Sequence, residues 1–313
     1  VHDPGVDRDV IKLYQRKIEE GDLPLRVYAM ADGMKDTTDW LCSEGIVQHP
    51  SGRLVMRSVK LYADGALGSR GAALLADYSD EPGNQGLMFI SEQEMSAALG
   101  KVFSCGLQAG VHAIGDAANR LVLDAYEKAL ADHPENPGRH RVEHAQILDP
   151  SDISRFAGLG VIAAMQPTHA TSDMYWADER LGPERLAGAY AWKSLLDSGA
   201  TLAFGSDFPV EEVNPMLGIH AAVTRQDLDG WPEGGWQAQE RISREDAIRA
   251  FTLDAAYAGF MEEQIGSLEA GKKADFIILQ EDILRIPAEK IPEIRVLQTW
   301  LDGQQVFSRH SSQ

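Results

Sequence analysis

Apolar residues recur along this chain in two alternating periods. Val10, Ile11, Tyr14 and Ile18 fall on one helical face, so residues 6–20 are predicted helical, ending at Gly21. Short apolar runs then predict strands at residues 25–30, 54–62, 107–112, 141–145, 160–165 and 201–205. Between them, helices are predicted at 91–105, 116–132, 150–159 and 184–198, with a last one from Ser243 to Gly259. Ser91 with Glu94 forms a capping box, Ser243 with Asp246 caps the last helix, and Pro137-Gly138 follows the second. Strands that are apolar throughout and alternate with helices imply a parallel sheet covered by helices. Six such strands are visible, two short of a closed eight-stranded barrel.

Past Gly259 the period changes. Residues 266–271 are turn-rich, 274–279 (ADFIIL) read as a strand, and apolar runs at 295–301 and 304–307 flank Asp302-Gly303, a hairpin signal. The expected division is a barrel over residues 1–262 and a small β-rich unit over 263–313. Two long loops stand out, 64–86 and 229–239, and loops of that length in compact domains tend to be functional. Trp231 and Trp236 in the second are candidates for a lid.

The 313 residues, 44% of them hydrophobic, suffice for a large core. No apolar run reaches about eighteen residues, the length needed to span a membrane. A net charge of −19, from 48 acidic and 29 basic residues, disfavours binding to nucleic acid or anionic lipid. Solubility is the simpler meaning of that charge. The chain opens without Met and without a secretory leader, and is expected to be N-terminally truncated. Cys42 and Cys105 are distant in sequence and in no CxxC pattern, so reduced, packed thiols and a cytoplasmic location are expected.

Four polar residues sit at the ends of the predicted strands: Lys60, His112, His144 and, just beyond, Asp207. In a parallel barrel those ends converge on one face, where such folds carry their sites. Each alone has an ordinary explanation. A strand-end histidine is often structural, a lysine often pairs with an acid, and Asp207 could cap a helix. Together they form a set that a divalent cation would stabilise, since charge at the end of a buried strand is otherwise costly. Imidazole and carboxylate ligands favour Zn²⁺. Arg70 and His169 lie in loops where they could meet substrate, or be plain loop residues. Trp176 and Tyr175 could wall a pocket, though packing is the simpler role. His49, His133, His140, His220 and His310 show no convergent partners and are expected to be surface or structural residues.

The segments VKLYADGALGSRGAAL, AGVHAIGDAANRLVLDAYE, RHRVEHAQI, MQPTHATSDMYWADERLG, LAFGSDFPVEEVNP and IGSLEAGKKADFIIL resemble the amidohydrolase superfamily, and most closely its family 3 branch, which includes N-substituted formamide deformylase-like proteins. The resemblance extends along essentially the whole chain. It implies a (β/α)₈ TIM-type barrel with a small β-sandwich built from both chain ends, and hydrolysis of amide-type C–N bonds by metal-activated water. It implies further that His112 and His144 are metal ligands, that Asp207 touches the metal and shuttles a proton, and that Lys60 is a ligand in the carbamylated form. Two features depart from the family pattern. No His-x-His pair occurs, and the element before residue 25 is expected to be a helix alone, so the first strands and half of the sandwich are expected to be missing. His2 is too close to the start to stand in for the pair. A binuclear centre therefore lacks two ligands, leaving either one ion on His112, His144 and Lys60 or a metal that is weakly bound or absent.

The expected function is metal-dependent hydrolysis of a small substrate. Deamination, ester or lactone hydrolysis, or a catalytically silent fragment remain alternatives. The exposed strand at 276–279 is expected to drive homo-oligomerisation.

Overall fold

The computed structural model describes residues 1–309. Seven parallel strands, β1 (His2–Val6), β2 (Val27–Asp32), β4 (Leu54–Tyr62), β5 (Gln108–Ala113), β6 (Arg141–His144), β7 (Ile162–Met165) and β8 (Leu202–Phe204), lie side by side in chain order. A short β3 (Val47–Gln48) pairs antiparallel with Val55 and Met56 near the start of β4, forming a hairpin with it. The sheet curls, because Lys60 on β4 and Asp207, beyond β8, lie close enough for each charge to act on the other. Helices fill the connections, giving an incomplete (β/α) barrel. β4 and the helix Asp116–Asp132 have the bounds that periodicity predicts. The capping box on helix Glu92–Ser104 is present as read.

The first correction is β1. HDPGV contains a proline, a glycine and one interior-type residue, so neither period marks it. It is a strand because its backbone pairs with β2, His2 opposite Tyr28 and Asp3 opposite Ala29, and an edge strand tolerates proline. The visible barrel is therefore one strand short of eight, not two. A second correction concerns residues 184–198. Tyr190, at φ 50°, breaks the run into a 3₁₀ turn, Arg185–Gly188, and a short helix, Trp192–Asp197. The last helix is likewise interrupted at Thr252, between Arg244–Phe251 and Leu253–Ala258. Helices Thr37–Glu44, Pro167–Asp173 and Pro215–Thr224 have no clear sequence period.

A third correction is the cysteine pair. Cys42, in the helix after β2, and Cys105, at the end of the helix before β5, form a disulfide with Cα atoms 5.3 Å apart. Sequence distance misleads here because neighbouring βα units bring the two helices together. The bond closes a separation of 63 residues, for which chain entropy gives a stabilisation of about 4 kcal/mol. C42S and C105S are each expected to lower the denaturant midpoint accordingly, with a somewhat larger m-value because the unfolded chain loses its cross-link. A midpoint that reductant does not move would refute the pairing.

Beyond the barrel, β9 (Phe276–Leu279), β10 (Val296–Leu301) and β11 (Gln304–Ser308) form a separate antiparallel sheet in the order β11-β10-β9. Asp302 and Gly303 both take positive φ, as the tight hairpin between β10 and β11 requires. The ion pairs of Arg26 with Asp275 and Asp302 tie this sheet to the barrel just before β2.

Candidate active site at the strand ends

The period-2 geometry of the strands sorts their side chains. Lys60 on β4 is buried, and His112 on β5 sits in register opposite Tyr62 on one side and Glu143 on the other. On β6, Arg141 and Glu143 share one face, so His144 belongs by alternation to the other face. A left-handed backbone at His144 and Ala145, φ 77° and 43°, re-aims it. Non-glycine residues at positive φ are uncommon and concentrate where a scaffold holds a functional side chain. Asp207, on the loop after β8, is also left-handed, φ 56°.

These side chains converge. The His112 and His144 rings meet edge-on with centroids 4.6 Å apart, and His169 lies nearly parallel to His144 at 5.9 Å. Nε2 of His169 is 3.8 Å from Oδ2 of Asp207. Burial lowers the Lys60 ammonium to about 8, against the opposing pull of Glu143. That makes the neutral amine accessible near neutral pH. Burial pushes the Asp207 carboxyl up, with Lys60 and His112 acting in the other direction. Burial, followed by the neighbouring His112, holds the His144 imidazole well below its usual range and therefore neutral.

Several contributors escaped the sequence reading. Gln166 accepts a hydrogen bond from Nδ1 of His144 at 2.8 Å, while its own amide nitrogen donates to the Ala164 carbonyl. That contact fixes the histidine tautomer and leaves Nε2 with the lone pair. Asp64, fully buried, accepts from the backbone N–H groups of Ala73, Ile114 and Gly115, and its Oδ1 lies 3.4 Å from Nε2 of His112. It thereby joins the loop after β4 to the loop after β5. Glu143 and Arg141 form a buried ion pair below the histidines, with Nε of Arg141 2.7 Å from Oε1 of Glu143. Gly110 makes room for that pair, since a Cβ there would stand 2.8 Å from the same Glu143 oxygen. The AD-G step at Asp64 and the QP step at Gln166 were readable as residues, but nothing in their spacing showed what they hold.

The remaining predicted site residues divide. Trp176 lies over Gly68, where a Cβ would meet its ring at 3.2 Å, so the loop after β4 reaches across to the segment after β7. Arg180 and Arg185 extend that bridge to the Gly68, Ala76 and Asp77 carbonyls. Arg70 is engaged by the Asp80 and Glu81 carboxylates, which leaves no free cation there for a substrate carboxylate. Trp236 is no lid. It is buried beside the Arg225 guanidinium and donates to Asp178, whereas Trp231 is half-exposed and stacks on Tyr175. His2 is not among the strand-end donors, for its Nδ1 meets Arg141 at the start of β1. His140 stacks on Phe103 with its pKa lowered to about 3 by burial, a structural residue as read. His220 is buried too, and His310 lies outside the described residues.

Among the described residues no three His, Cys, Asp or Glu side chains already stand as a closed ligand set. The donor chemistry nonetheless suits a divalent ion. Nε2 of His112 and Nε2 of His169 are buried without a hydrogen-bond partner among the described residues, and such unpartnered ring nitrogens are rare unless a ligand completes them. A carboxylate and a readily neutralised amine stand beside them.

A family model described as "Amidohydrolase family" matches residues 2–307. The chain belongs to the amidohydrolase family. This amidohydrolase-family chain is 38% identical over 255 residues to Protein LONG AFTER FAR-RED 3 of Arabidopsis thaliana, covering 81% of itself and 43% of that protein. It is 27% identical to the N-substituted formamide deformylase of Arthrobacter pascens, over 100% of itself and 58% of the relative. A crystal structure described as an uncharacterized metal-dependent hydrolase from Pyrococcus horikoshii OT3 superposes with a TM-score of 0.82 at 31% identity, over 92% of this chain and 57% of that one. The chain thus spans about half the length of the relatives it matches. No described helix is long and apolar enough to cross a membrane.

Proposed function

We propose that this chain carries the catalytic face of a metal-dependent hydrolase that cleaves an amide-type C–N bond of a small substrate. The observation carrying this proposal is the 4.6 Å approach of two imidazole rings, His112 and His144, beside a carboxylate and a buried lysine. His112 and His144 would hold the ion, with Asp207 and the Lys60 amine, carbamylated or not, completing its surroundings. Zinc suits this donor set best. Such an ion, when bound, supplies Lewis acidity.

The chain's own residues supply the rest. Gln166 keeps His144 in the ligating tautomer. Asp207, its carboxyl raised by burial, is suited to accept a proton from the attacking water and return it to the leaving nitrogen. Trp176, the Gly68 loop and His169 bound the space above. Arg70 has no part, since it is already paired. The acidic net charge accords with a small-molecule partner in preference to nucleic acid or a membrane.

Elemental analysis of the purified protein beside H112A and H144A tests the assignment. About one equivalent of metal in the parent and a large loss in both variants is expected. Equal metal in all three would remove the site. Chelation and zinc return, assayed on N-formyl, N-acyl and cyclic amides, then reads the reaction class. We further propose self-association through the β9–β11 sheet, where Ile277, Ile278, Val306 and Phe307 are exposed. A monomeric light-scattering mass at micromolar concentration would refute it.

A further inference from the structure

Outside the strand-end site, an arginine without an acid partner among the described residues lines a cavity. Arg57, in the first half of β4, has no carboxylate within ion-pair distance among the described residues; the charged or ionisable groups acting on it are Tyr28 and Arg139. Its Nε is buried with no hydrogen-bond partner among the described residues. Of the other interior arginines, Arg225 also has no carboxylate within ion-pair distance among the described residues, but its Nε and Nη1 donate to the Trp236 and Tyr190 carbonyls; the other three are paired. Arg26 is paired with Asp275, Arg139 with Glu262, and Arg141 with Glu143. A buried guanidinium nitrogen with no hydrogen-bond partner is costly unless something completes it.

The surroundings are built to keep the guanidinium where it is. It lies 3.7 Å from the centre of the Phe260 ring, and Arg139 lies 4.6 Å from the same ring. Phe260 adopts a left-handed φ of 58° to present that ring, which is costly for a bulky residue. Burial, and the like charge of Arg139, both work against the Arg57 cation. Arg57, Phe260 and Val55 line a cavity of about 130 Å3, with Gln48 and Gln264 at its exposed rim. The rim amides can donate to an oxygen, and Phe260 covers the apolar side.

We propose that this cavity is an oxyanion-binding site, separate from the strand-end site, in which Arg57 pairs with a small carboxylate or phosphate and the Gln48 and Gln264 amides donate to it. A planar guanidinium is the side chain that engages such groups through two parallel N–H donors. The volume suits an anion of a few heavy atoms and excludes a nucleotide.

The test is thermal unfolding in inorganic phosphate, in acetate and in chloride at matched ionic strength. At concentrations several-fold above the dissociation constant, one of the two oxyanions is expected to raise Tm by about 1–2 °C over chloride. The stronger arm distinguishes a phosphate from a carboxylate. R57Q should abolish that rise. Q264E places a carboxylate at the rim, and should raise Tm in chloride while removing the oxyanion response. No rise in the parent protein with either anion overturns the proposal, as does a rise that R57Q retains. If R57Q does not fold, Q264E decides, because an undiminished oxyanion response in that variant is incompatible with the site.

Discussion

D207N is expected to lower kcat for the amide substrate proposed above by about 10²–10⁴-fold, with KM changed little, because under that proposal it removes a proton carrier and leaves the substrate-binding surface in place. The variant should fold normally. Asp207 has a left-handed φ of 56°, a conformation that asparagine tolerates better than most residues. Burial already disfavours its ionised form, so the neutral amide relieves a desolvation cost at folding. Circular dichroism and Tm matching the parent, together with the loss of turnover, would be the joint result. A kcat near the parent's value would remove Asp207 from the proton path. Retained metal in D207N would separate that role from ligation.

D64A is expected to give the largest loss of stability at this face. Three backbone donors, of Ala73, Ile114 and Gly115, converge on one fully buried carboxylate. Removing it leaves them unsatisfied in the interior, a loss of about 3–5 kcal/mol. The loop after β4 should loosen with it, since Asp64 is its anchor to the start of helix Asp116–Asp132. Urea unfolding and limited proteolysis between residues 64 and 86 read the two effects. D64N, which keeps one acceptor oxygen, should fall between. A D64A protein within about 1 kcal/mol of the parent would show that water replaces the carboxylate and that the anchoring is incidental.

The legible parts of this protein are those where a local signal and the tertiary structure coincide. β4 and the helix Asp116–Asp132 follow from apolar period alone, and the Ser91–Glu94 box from side chains that satisfy nearby backbone donors. The pairing of Lys60, His112, His144 and Asp207 was readable for a different reason. Parallel strands all end on one face, so residues at equivalent strand positions meet whatever their sequence separation. The pairing of Arg70 was not legible because a loop's course, not its sequence neighbourhood, brings Asp80 and Glu81 to it.

What the sequence by itself determined is the alternation of strand and helix, the family pattern and the identities of the polar strand ends. Each rests on interactions between near neighbours or on the regular repeat of a strand or helix. Only the tertiary structure decided that HDPGV is a strand, that Cys42 bonds to Cys105, that Gln166 orients His144 and that Arg57 lacks an acid. Those outcomes depend on which distant backbone or side chain comes within a few ångströms, a property of packing that no local pattern encodes.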